Sequence, residues 1–242
     1  MLGIESAVQP FPTTQWTVIA KLSEPGERDS VLAFVCAAYR PPVYSFLRKR
    51  GYGKEDADDL TQGFFEIVVR DELLERAERG TGKFRSFVLA VLEKFVANAE
   101  RTRTALKRGG GKAGVELHEA TIEDEVERLI SSCATPEEAF DRAWLTMILQ
   151  RVIEELRVQY EEAGKAVLFT SLLPWLLLDD ERSQTDAAAQ ANISVVNFRV
   201  QLHRLRMRYR DGLQREIAAT LTSEEDLAEE LDYFFKISQR SL

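Results

Sequence analysis

The chain has no Lys or Arg before Lys21, so we expect no secretory signal with a basic leading region. It has two cysteines, Cys36 and Cys133, far apart and in no paired motif. They read as buried thiols of a reducing cytoplasm. Two histidines, His118 and His203, and no paired cysteines supply no zinc site, and no metal or cofactor is expected. A phosphate loop around Gly109-Gly110-Gly111-Lys112 lacks its first Gly, where Leu106 stands, and its Ser or Thr, where Ala113 stands. A serine triad would have to recruit His118 from an acidic stretch or His203 from a basic helix. We therefore expect no catalytic centre. Residues 123–127 read as a solvated acidic run rather than a metal site. The longest apolar run, Val167 to Leu178, is interrupted by Thr170, Ser171 and Pro174 and falls short of the roughly 20 residues that span a bilayer.

What is present is a core-forming composition: 242 residues, 45% hydrophobic and 30% charged, with a net charge of −8. A free nucleic-acid binder is usually basic. Here the charges are segregated instead. Residues 81–112 hold 8 basic and 2 acidic side chains, and residues 184–215 hold 6 and 2. Between them residues 113–183 hold 6 and 16, and residues 216–242 hold 2 and 7. Two basic islands divided by acidic chain predict two separate contacts with a polyanion.

Good helix formers and the absence of sustained alternation predict an all-α protein. The pattern places a helix at Asp29–Tyr39 ended by Pro41-Pro42, a second from Val43 to about Gly51, and a third over Asp56–Arg70. A long helix or tandem pair follows over Phe84–Arg108. Residues 111–135 read as an acidic flexible linker. A second helical module follows over 136–215, and residues 216–242 read as a helical extension opening on the cap Ser223-Glu224-Glu225-Asp226. Exposed Phe234-Phe235 would be costly in water, which favours an extension folded back on the body over one held open for a partner.

Residues 183–210 carry the most information. Ser183 is placed to cap a short helix, Asn192 to take a positive φ in the turn, and Ser194 to cap a second helix. At 100° per residue, Phe198, Leu202, Leu205 and Tyr209 form one stripe, the core side. This is the pattern of a helix-turn-helix. Val196, Arg199, Val200 and His203 then face base edges, with Arg204, Arg206 and Arg208 toward phosphates or flanking bases, and Asn197, on the Arg204 flank, is counted with them as a DNA contact. In the first basic island, Lys83, Arg85, Lys94, Asn98, Arg101, Arg103, Lys107 and Arg108 alternate with aromatic and aliphatic residues, a composition suited to single-stranded DNA, although most of the aromatics should be core. On the third helix Asp58, Asp59, Gln62 and Glu66 form a polar strip beside Phe65, a candidate protein-docking face.

Taken in order, Thr14-Gln15-Trp16-Thr17, Asp56-Ala57-Asp58-Asp59-Leu60-Thr61-Gln62-Gly63-Phe64-Phe65, Gly82-Lys83-Phe84-Arg85-Ser86-Phe87, Lys107-Arg108-Gly109-Gly110-Gly111 and the helix-turn-helix resemble the extracytoplasmic-function (ECF) class of bacterial RNA polymerase sigma factors. The closest likeness is to the ECF-like group with a C-terminal extension, over nearly the whole chain. The resemblance implies an N-terminal segment at 1–28 and region 2 at 29–110, which binds core polymerase and the −10 element. It further implies the linker at 111–135, region 4 at 136–215 for the −35 element, and the extension at 216–242. It assigns Asp56, Asp59, Gln62 and Phe65 to the β′ clamp helices and Arg199, Val200, His203 and Arg204 to the −35 element, with region 4 also on the flap of β. It implies a cytoplasmic protein, nucleoid-associated in the holoenzyme, that directs promoter-specific initiation and is held by an inhibitory protein such as an anti-sigma factor. The chain departs from the family at Phe87-Val88, where Trp-Leu is common, and at Lys94, where Asn is common. A free-standing helix-turn-helix regulator and a sigma-like adaptor that binds only proteins are the alternatives. Polymerase binding and promoter-dependent transcription separate the three.

Overall fold

The computed structural model describes residues 19, 21–24, 26–74, 83–107, 123–177, 184–221 and 226–239. Thr14 to Thr17, Gly82, Arg108 to Gly111, Glu116, His118, Glu119, Leu178, Ser183 and the cap at Ser223 to Glu225 lie outside the described residues. Every regular element among the described residues is helical, as the sequence pattern predicts. After a single 3-10 turn, Lys21–Ser23, come α1 (Arg28–Lys49), α2 (Lys54–Arg70), α3 (Phe84–Lys107), α4 (Glu123–Ser132) and α5 (Pro136–Glu162). The short α6 (Ala166–Leu172), α7 (Pro174–Leu177) and α8 (Gln184–Gln190) follow, then α9 (Val195–Ala218) and α10 (Leu227–Gln239).

The described chain divides into two compact units. The larger takes the residues up to Met147 and returns for those from Ile217 onward; the smaller is built from residues 148–216. In the larger unit, Tyr39 of α1 meets Phe84 of α3 edge-on at 5.5 Å and Phe140 of α5 at 6.2 Å. Phe64 of α2 meets Phe95 of α3 at 5.8 Å. These rings, with Val43, Phe46, Leu47 and Leu92, close an aromatic-rich core. Among the described residues, α1 is long and apolar enough to cross a membrane, but 61% of its most apolar stretch is buried inside the protein.

The predicted break at Pro41-Pro42 is corrected: α1 runs through both prolines. Each proline forfeits one backbone hydrogen bond and strains the preceding turn, at about 3 kcal/mol or more. Tyr39, Val43, Phe46 and Leu47 have no exposed surface. Each contributes about 1.5–3 kcal/mol on burial, enough in sum to keep the chain helical through the pair. The first helix ends instead at Lys49 and is closed by Gly51, whose φ of 99° lets its N–H reach Arg48 O and the Tyr52 N–H reach Leu47 O. A second correction concerns the acidic stretch read as linker. Residues Glu123–Ser132 form α4, with Ile130 and Cys133 buried, and Glu127 pairs with Arg48 of α1 at 2.8 Å.

In the smaller unit, Val152, Leu156 and Tyr160 of α5, Phe169 and Leu172 of α6, Trp175 of α7, Ala188 of α8, and Phe198, Leu202 and Leu205 of α9 share one core. Gly212 of α9 lies against α5 so closely that a Cβ there would sit 2.6 Å from Val152 Cγ1. Gly212→Ala should therefore cost about 1–3 kcal/mol by overpacking. Denaturant unfolding of Gly212→Ala, Val152→Ala and the double variant checks this. The expected result is partial rescue in the double variant, and strictly additive losses would refute the close contact.

Candidate nucleic-acid and protein-binding faces

The α8–α9 connection is built by local chemistry. Asn192 has φ 53°, and its N–H bonds to Ala189 O while that of Ile193 bonds to Ala188 O, both at 3.0 Å. This pair of hydrogen bonds closes α8 and needs a left-handed residue, a role Asn tolerates. Ser194 Oγ then accepts the Asn197 N–H at 3.2 Å and opens α9. Phe198, Leu202 and Leu205 are buried, with Tyr209 half-buried in the same stripe, and Trp175 meets Phe198 edge-on at 6.2 Å. Burial of its hydroxyl pushes the Tyr209 pKa up to about 12.

The opposite side of α9 faces outward. Val196 is 74% exposed and Val200 43%, unusual for aliphatic side chains, and Asn197, Arg199, His203 and Arg204 are exposed with them. Arg199 Nε donates to Gln184 Oε1 at 2.9 Å, which ties α8 to the start of α9. Gln201 Nε2 donates to Asn197 Oδ1 at 3.2 Å. Arg206 and Arg208, expected at phosphates, also have internal partners. Arg206 Nη2 donates to Trp175 O at 2.8 Å, and the Arg208 guanidinium lies 5.8 Å over the Tyr160 ring. Met207, 41% exposed, lies on the same outward stripe as Val196 and Val200 and was not singled out in the sequence.

On α2, Asp56, Asp58, Asp59, Gln62 and Glu66 are exposed and Phe65 is half-buried, seated edge-on against Phe64 at 5.1 Å. Gln62 and Phe65 line an open groove of about 670 Å³ between α1 and α2, together with Cys36, Ala37, Arg40, Glu66, Val69 and Arg70. Asp56 and Asp59 lie on α2 outside this lining. Arg40 Nη2 bonds Asp58 Oδ1 at 3.0 Å across the two helices, and Gln62 Nε2 donates to Glu66 Oε1 at 3.0 Å. Burial raises the Cys36 thiol above its ordinary value, which makes it an apolar wall of the groove. The α1 contribution was missed because nothing local to Cys36, Ala37 and Arg40 shows that their side of the helix faces α2.

The basic segment divides in two. Lys94, Asn98 and Arg101 are exposed on α3, with Arg101 Nη1 donating to Asn98 Oδ1 at 3.2 Å. The side chains of Arg103 and Lys107, like Arg108 as a whole, lie outside the described residues. Arg85, expected at DNA, is instead buried. Its Nε donates to Glu230 Oε1 at 2.8 Å, its Nη1 donates to Asp141 Oδ1, and its guanidinium lies 5.0 Å over the Phe234 ring. Lys83 bonds the other oxygen of Glu230, and the Tyr233 hydroxyl donates to Asp141 Oδ2. The reason is angular. Arg85 shares its side of α3 with the buried Leu92 and Val96, about 180° from Lys94. Burial works against the Arg85 charge, but Asp141 and Glu230 outweigh it and hold its pKa above the ordinary value. Burial raises the Asp141 carboxyl, against the pull of Arg85 and Tyr233.

Comparison with protein-family models, curated proteins and solved structures found no match to this chain. The geometry of these faces therefore stands by itself. Arg85→Ala leaves buried Asp141 with the Tyr233 hydroxyl and Glu230 with Lys83 in place of a paired guanidinium and should cost about 3–5 kcal/mol. Lys94→Ala on the exposed side should stay within about 0.5 kcal/mol. Urea unfolding of both variants checks the division, and comparable losses would contradict it.

Proposed function

We propose that the chain is a promoter-specificity subunit of bacterial RNA polymerase, a sigma factor of the ECF class. The observation that carries this reading is the α8–α9 pair taken as a helix-turn-helix: a capped helix pinned by Phe198, Leu202 and Leu205, with Val196, Arg199, Val200, His203 and Arg204 turned outward. A helix of this kind enters the major groove by its N-terminal half, where Arg reads guanine and apolar groups meet thymine methyls. The exposed valines suit thymine methyls and have no benefit on a merely solvated helix. Arg206 and Arg208, partly engaged within the fold, act as a positioning flank.

The α1–α2 groove supports the second half of the reading. Gln62 and Phe65 offer an amide and an aromatic edge beside apolar Val69, with Arg40, Glu66 and Arg70 around them. That mixture fits a protein helix better than a nucleic acid. It is the proposed seat of the polymerase clamp, with Asp56 and Asp59 at its approach. Lys94, Asn98 and Arg101 are then left for the −10 region. DNA affinity comes from the assembled polymerase, so the free chain keeps its charge of −8, which weakens binding outside the complex. An inhibitory protein would act by occupying the groove.

Titration of the purified chain with core RNA polymerase, read by native mass spectrometry, tests this. The expected result is a one-to-one complex, lost in the double variant Asp59→Arg, Gln62→Ala. Absence of a complex with the wild-type chain at micromolar concentration would overturn the reading in favour of a free-standing regulator.

A further inference from the structure

Helix α10 fills a cationic site. Glu230 has no exposed surface, and its two oxygens are taken by Arg85 and Lys83. With Asp141 on the other arm of Arg85, two cations and two anions balance. Two apolar side chains of the helix are buried, with Leu227 and Leu231 half-buried. Phe234 stacks on Trp144 at 5.1 Å and Ile237 is buried, while Phe235 is 59% exposed. A helix of 13 residues is marginal in isolation, so α10 depends on these anchors and loses its order when they release. The charge of the chain follows the same division: 7 acids and 2 bases in residues 216–242, against 8 bases and 2 acids in residues 81–112.

The geometry points to α10 as a displaceable acidic cap that keeps Lys83 and Arg85 from a nucleic-acid phosphate. The inference rests on the sigma-factor reading, in which the segment from Lys83 onward faces single-stranded promoter DNA. With α10 in place, a phosphate meets a neutral cluster and an Arg85 side chain that is 7% exposed. With α10 lifted, Glu230 leaves, Lys83 and Arg85 face Asp141 alone, and the guanidinium fork is free to take a phosphate through two parallel bonds. The closed state lowers the apparent affinity by the fraction of molecules that are open.

Hydrogen exchange on the full chain tests the cap without any substitution. Residues 227–239 should exchange by their own opening, ahead of residues 84–101, and a single-stranded oligodeoxynucleotide should speed that exchange because it binds the open state. Exchange of α10 only with the rest of its unit, unaltered by the oligonucleotide, overturns the proposal. Glu230→Gln, which keeps the shape and removes the charge, should raise oligonucleotide affinity at least about tenfold by fluorescence anisotropy, with the chain free and bound to core polymerase. A variant that binds polymerase but gains no DNA affinity in either state removes the cap and leaves the sigma-factor reading intact. A gain in DNA affinity without polymerase binding does the reverse.

Discussion

One buried cation organises the larger unit. Arg85, near the start of α3, reaches Asp141 on α5 and Glu230 on α10 and lies under the rings of Tyr233 and Phe234. A charge removed from water is tolerated only when it is paired and hydrogen-bonded, and here both conditions are met from two other helices, α5 and α10. The requirement is mutual, since without Arg85 the buried Asp141 would keep only the Tyr233 hydroxyl and Glu230 only Lys83. This constraint fixes which face of α3 turns inward. It thereby leaves Lys94, Asn98 and Arg101 on the outer face and sets what is available to a polyanion.

The smaller unit uses a different device. Its core is apolar, and its precision lies in chain termini: the left-handed Asn192, the cap at Ser194, and Arg199 joined to Gln184. These local bonds set the direction of α9, and the Phe198–Leu202–Leu205 stripe sets its rotation. Rotation decides which side chains face outward, because a turn of 100° would bury Arg199 and expose Phe198. The exposed Val196 and Val200 follow from the same rotation. The charge segregation then has a purpose in the proposed role: basic faces for promoter DNA within an acidic chain that relies on the polymerase for affinity.

The helical class, the Asn192 turn, the Ser194 cap and the core stripe of α9 were legible in the sequence because they depend on residues within a few positions of each other. The folding back of the last helix was also legible, from the cost of exposing adjacent phenylalanines, although only Phe234 turns inward and Phe235 stays out. What was not legible depends on distant partners. Nothing local to Arg85 announces Glu230, 145 positions away, so its charge was read as a DNA contact. Pro41-Pro42 carries a strong local signal that tertiary burial overrides. Acidic residues 123–127 read as linker because the apolar contacts of Ile130 and the partner of Glu127 lie on other segments. The groove was half legible: the α2 side was read from its strip, and the α1 side, Cys36, Ala37 and Arg40, depends on which helix packs beside it.

The central claim is that this chain directs a polymerase to promoters through the outward face of α9. Transcription reconstituted from core RNA polymerase, the chain and a library of genomic fragments tests it most directly. The account predicts transcripts that depend on the chain, start at a fixed distance from a shared pair of sequence blocks, and disappear when Arg199 and Arg204 are both replaced by Ala. No transcript above that of core polymerase alone, from any fragment, would contradict it.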